Sequence, residues 1–121
     1  MIQEEKDKLI AFFEHEGRWC QGVDATDDSG HAVHYDDEQA VSWDLVGGLC
    51  HLFGWKRACE LFEPVSRHVA GRRHLNSPSR NSEMAAMSEL FDFNDRRETT
   101  HQLVMDRLRG LPVWHGRRAS I

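Results

Sequence analysis

Asp44 and His51 are the first residues in this chain whose types and spacing could do chemistry. They are seven residues apart, so on a helix they stand two turns apart on one face. A carboxylate and an imidazole on one face can share acid–base work or ligate a metal ion. The rise over seven residues is about 10.5 Å, so a group from another element must bridge them. Gly47 and Gly48 lie between them and would leave a groove. The structural reading of the same residues is the exposed edge of a buried helix. Asn94-Asp95 is the second candidate. In turns these side chains satisfy nearby backbone groups. The functional alternative is that they line a pocket with Trp19 and Trp43, an apolar site with a few convergent polar groups. The candidate pocket is therefore Trp19, Trp43, Asp44, His51, Asn94 and Asp95.

Arg67, Arg72, Arg73 and Arg80, with His68 and His74 among them, form a candidate anion-binding region. The planar guanidinium fork suits phosphate and carboxylate. Cations near a helix C-terminus are also favoured by the helix dipole alone. No aromatic residues interleave with these arginines, so the nucleic-acid footprint is incomplete. His31 and His34 would face opposite sides of a flat strand. They would need Asp36 or Asp37 as a third ligand, and no HExxH or Cys/His spacing supports a metal site. No metal ligand set and no cofactor is assigned. Cys20, Cys50 and Cys59 are an odd number without a repeated short spacing, which argues against a disulfide framework. Cys50 and Cys59 fall in apolar helical stretches and read as core residues. A G-x-S-x-G elbow, a P-loop and a dinucleotide fingerprint are absent from the sequence.

These candidates sit on a chain of 121 residues, the size of one domain. Hydrophobic residues make up 40% and charged residues 29%, a globular balance. No apolar run approaches the ~20 residues that span a bilayer, and the acidic, amphipathic N-terminus is not a secretory or transit signal. A cytoplasmic location is expected. Net charge is −5 and uneven. Residues 1–55 hold twelve acids and three bases, and residues 56–121 hold eight acids and twelve bases. Such asymmetry fits a partner for the basic half, self-association of unlike faces, or internal compensation on folding.

The elements that must position the candidates read as mainly α. Four to five helices surround a central buried helix over about 37–53, with a small β-hairpin over about 18–35. The first helix runs from about Gln3 to Glu16, with Ile2, Leu9 and Phe13 on one face. Asp27-Asp28-Ser29-Gly30 is the turn of the hairpin. Asp36 with Gln39 has capping-box spacing and starts the central helix. That helix is apolar over more than half its circumference, including Val41, Trp43, Leu45 and Leu49. Its Gly47-Gly48 pair implies close approach of a neighbouring backbone. Gly54 separates it from a helix with a stripe of Trp55, Ala58, Phe62, Val65 and Val69, in which Pro64 predicts a kink or break near Glu63. A short helix from about Ser82 to Phe91 turns Met84, Met87 and Phe91 inward, and Phe93-Asn94-Asp95 forms a turn. Thr99 with Gln102 caps the last helix, which Gly110 and Pro112 end. Residues 1–112 are expected to be one domain and 113–121 a tail.

Three segments carry a resemblance. They are Trp19-Cys20-Gln21-Gly22 before the Gly30 turn, Ala40-Val41-Ser42-Trp43 leading into Gly47-Gly48-Leu49, and Phe93-Asn94-Asp95 before a final helix. In this order they resemble a family of small bacterial and phage domains of unknown function, over roughly residues 1–110. That pattern has a Trp-x-x-Gly segment, an Ala-x-x-Trp helix with a small-residue pair, and a late Phe-Asn-Asp turn. Asp44 departs from it, because the position after the Trp is usually small. The resemblance implies a fold and no activity. The reading is therefore a non-enzymatic helical accessory or interaction domain that self-associates. The alternatives are a ligand-binding or enzymatic domain using the candidate pocket, and a phosphate or nucleic-acid binder using the arginines.

Overall fold

The computed structural model describes residues 1–71 and 82–113. Among them are helices α1 (Gln3–Phe13), α2 (Leu45–Val69), α3 (Ser82–Asp95) and α4 (His101–Arg109), and strands β1 (Ala25–Thr26) and β2 (Ser42–Trp43). The fold is mainly α with a small antiparallel β element, as the sequence pattern predicts.

Helix α1 starts where the Glu5 carboxylate accepts the otherwise free N–H of Ile2. Its buried residues are Leu9 and Phe13, four apart on one face. It ends at Phe13, earlier than expected, and Gly17 falls in a following 3-10 turn, Glu16–Arg18. Arg57 of α2 grips the Glu5 carboxylate with two N–H groups, at 2.7 and 2.9 Å, and ties α1 to α2. That contact also holds the Glu5 carboxyl below its ordinary pKa.

The turn after β1 forms as its residues suggest. The Asp27 carboxylate accepts the N–H groups of Ser29 and His31, and Gly30 takes a positive φ. Thr26 bridges to Ala32, but the two-residue ladder joins β1 to Ser42–Trp43. Trp43 also bridges in parallel to Trp19. Residues 42–43 are therefore strand, whereas the periodicity placed them in the central helix. That helix starts at Leu45, not near Asp37. The physical reason is competition for the start. The Asp37 carboxylate closes its own turn by accepting Gln39 N–H, while Asp44 caps α2 by accepting Gly47 N–H.

Helix α2 is two helices in one. Gly54, at φ 83° and ψ 157°, divides 45–53 from 55–69. Pro64 neither breaks nor ends the second part, contrary to expectation. It lies on the exposed side, as does Glu60, whose carbonyl loses its helical donor. The core joins Leu9 and Phe13 of α1 with Leu45, Leu49, Leu61, Phe62 and Val65 of α2, Leu90 and Phe93 of α3, and Val104 and Leu108 of α4. Helix α3 continues through Asp95, so Phe93-Asn94-Asp95 is its last turn and not a loop. Its inward residues are Ala86, Leu90, Phe93 and Asn94, and Met84 is exposed. Thr100, not Thr99, caps α4 by accepting Leu103 N–H, while the Thr99 hydroxyl donates to the Phe93 carbonyl.

Gly54 occupies backbone space that is open in practice only to glycine, where another residue costs about 1–3 kcal/mol. Gly54→Ala should lower unfolding free energy by about that amount in urea denaturation, although a Cβ there meets no atom within 4 Å. Gly17→Ala, equally uncrowded and without a positive φ, should change stability little.

Candidate functional site

Five of the six candidate pocket residues meet where the start of α2 touches the end of α3. Asn94 is the centre. It is fully buried. Its side-chain oxygen accepts Trp19 Nε1–H at 2.8 Å and Leu45 N–H at 3.0 Å. Its side-chain NH2 donates to the Cys20 carbonyl at 3.0 Å and to Asp95 Oδ1 at 2.9 Å. Asp95 Oδ1 also accepts Gly22 N–H at 2.9 Å. An amide has two donors and two acceptor sites, and all four are used. The Leu45 N–H is one of the first helix amides that no helix carbonyl can satisfy, so Asn94 completes a cap that Asp44 begins.

Asp44 is 1% exposed. Its Oδ1 accepts Gly47 N–H at 2.7 Å, and its own N–H donates to the Asp24 carbonyl at 3.1 Å. Burial pushes its carboxyl from an ordinary 3.8 up to about 8; the Asp24 and Asp95 charges add to the rise, and the Gly47 and Val46 N–H groups oppose it. The Asp24 carbonyl lies where a Cβ on Gly47 would sit, at 2.2 Å. A Cβ on Gly48 would meet the Phe13 ring at 2.4 Å. The close backbone approach expected from the glycine pair is thus real for Gly47, while Gly48 makes room for a side chain.

Trp43 joins the junction through its backbone, since its carbonyl accepts Cys20 N–H at 3.0 Å. Its ring is held apart by other partners: Nε1 donates to the Tyr35 carbonyl at 2.8 Å, and the Phe12 ring lies 4.9 Å away. His51 is the candidate the junction leaves out. Its ring stacks on Trp43 at 4.7 Å, and its Nδ1 is 3.4 Å from Asp36. Asp44 and His51 have no shared hydrogen bond, because Asp44 faces the cap and His51 the surface.

Gln21 belongs to the junction, although the spacing did not single it out. Its side-chain NH2 donates to the carbonyls of Asn94 and Arg96 at 2.9 and 3.1 Å, closing the turn after α3. Its place between Trp19 and Gly22 is the only signal the sequence offers. Arg67 pairs with Glu63 at 2.7 Å, one turn away on the same helix. Arg72, Arg73, His74 and Arg80 lie outside the described residues. His34 accepts Asp36 N–H through Nδ1 and its ring lies 4.2 Å from that of Tyr35, and His31 lies 3.6 Å from Asp27. Among the described residues no three His, Cys, Asp or Glu side chains are placed to hold a metal ion. Cys20, Cys50 and Cys59 are free thiols. Burial raises all three, Cys50 to about 12, which disfavours the reactive thiolate.

Asn94→Ala should lower unfolding free energy by about 3 kcal/mol or more in urea denaturation. It leaves Leu45 N–H, Trp19 Nε1–H and the Cys20 carbonyl without partners, at about 1–3 kcal/mol each. Asp95→Ala, on the exposed side, should cost about 1 kcal/mol. Equal costs for the two would show that Asn94 is not the centre.

The sequence profile of a family described only as a family of unknown function (DUF6197) matches residues 11–111, a span containing every residue of the junction. No curated protein and no solved structure matches the chain. With that match across most of its length, the chain belongs to this family of unknown function.

Proposed function

We propose that this domain is a non-enzymatic interaction module that associates with a second copy of itself. One contrast carries the reading. The polar side chains of the junction are committed to hydrogen bonds within the fold, whereas large apolar side chains stand in solvent. Asn94 uses all four of its hydrogen-bonding positions, and Asp95 and Gln21 bond neighbouring backbone. Trp55 is 49% exposed, Val41 46% and Met84 40%. Trp55 follows the Gly54 kink directly, and its ring meets Phe62 edge-on at 6.0 Å. Tryptophan is enriched among residues that dominate interface energies. Trp55 lies on α2 and Met84 on α3, two helices that pack against each other.

The three free thiols support a reducing, cytoplasmic setting. Among the described residues no helix is long and apolar enough to cross a membrane. The Arg67–Glu63 pair gives no support to anion binding through Arg67.

Sedimentation velocity across a wide concentration range tests the proposal. The expected result is concentration-dependent association that Trp55→Ser weakens, with the stability of the domain little changed. A chain that remains monomeric at high concentration would overturn it.

A further inference from the structure

We infer that Gly54 is the hinge of a domain-swapped dimer, in which α2 straightens and the 1–53 half of each copy packs on the 55–113 half of the other. This rests on the self-association proposed above and names how the second copy is held. A straight helix as long as α2, with its 25 residues, would measure about 37 Å. Yet both ends of α2 reach the last turn of α3. Leu45 N–H donates to the Asn94 side chain. Arg107 donates to the Val69 carbonyl, and its guanidinium lies 5.5 Å from the centre of the Phe93 ring. The chain therefore folds back at Gly54, the one non-helical residue in Leu45–Val69.

A reversal made by one residue can be undone at one residue. Residues 54–56 are exposed, and no atom stands within 4 Å of where a Cβ on Gly54 would sit. Glycine enters helical φ and ψ about as readily as the positive φ observed here. Straightening also returns helix carbonyls to the first N–H groups after the break, which a new helix start leaves without them.

The surfaces that straightening separates already fit each other. Across the hinge, Arg57 bonds Glu5, and Asn94 bonds Trp19, Cys20 and Leu45. His101 bonds the Phe13 carbonyl, and Lys6 bonds the Leu111 carbonyl. Leu9, Phe13 and Leu49 on one side share the core with Phe62, Leu90 and Leu108 on the other. None of these contacts requires both halves to belong to one chain, so two straightened copies restore them in pairs. The junction then takes Trp19 and Leu45 from one copy and Asn94 from its partner. Contacts found only in the dimer form beside the two hinges, where Trp55 stands 49% exposed. Kinked and straight forms share the same core, so protein concentration and the hinge residue decide between them.

Gly54→Ala tests the hinge. Alanine disfavours the kinked backbone and suits the straight helix, by about tenfold or more in each chain. Two chains enter the dimer, so its dissociation constant in sedimentation should fall about a hundredfold or more. An unchanged constant would overturn the swap while leaving association through the Trp55 surface standing. Monomers of both the unaltered and the alanine chain, even at high concentration, would overturn the two together. The unaltered chain gives a second reading that needs no variant. Labelled and unlabelled chains are mixed in equal amounts, unfolded, refolded and concentrated to the dimer. Isotope-filtered NMR should then place the Trp19 indole N–H beside Asn94 of the other chain. A dimer in which that contact stays within one chain would overturn the swap.

Discussion

The Asn94 side chain has two lone pairs and two N–H bonds in a place that water does not reach, and three chain segments depend on them. Trp19 and Cys20 come from the connection after α1, Leu45 from the start of α2, and Asp95 from α3 itself. Each of these groups would be costly to bury without a partner. Their separation along the chain, 49 residues for Leu45 and 75 for Trp19, means that local structure could not supply one. Satisfying them fixes where α3 ends against α2, and that fixes how Leu90 and Phe93 enter the core.

Packing around the two glycines answers to the same constraint. The Asp24 carbonyl reaches Asp44 N–H only because Gly47 has no side chain, and Phe13 enters the core only because Gly48 has none. Glycine within a helix costs about 1 kcal/mol each relative to alanine. Here that cost is offset by backbone contact on one side and ring burial on the other. The polar junction and the apolar core are consecutive residues of one helix, so neither can shift alone.

Function divides along the same line. Residues that combine carboxylates, amides and tryptophans invite a catalytic reading, yet here most of their polar capacity goes to ending and starting helices. What remains for the outside is apolar surface beside the Gly54 kink, which suits association with another chain.

The sequence by itself determined the helical fold, the Asp27–Gly30 turn, the break at Gly54 and the need for close approach at Gly47. These rest on periodicity, local turn chemistry and the absence of a Cβ, which act over a few residues. It also grouped Trp19, Trp43, Asp44, His51, Asn94 and Asp95, of which His51 stands apart from the junction. Tertiary structure alone decided that Ser42–Trp43 are strand and not helix, because their pairing partner lies at Ala25–Thr26. It decided that Asp44 is a buried cap and His51 a surface ring, although helical spacing gave them one face. It also decided that Asn94 completes the cap of α2 and that Gln21 holds the turn after α3. Each of these depends on a hydrogen-bond partner or a covering segment distant in the chain, and nothing in the local pattern specifies which distant group will arrive.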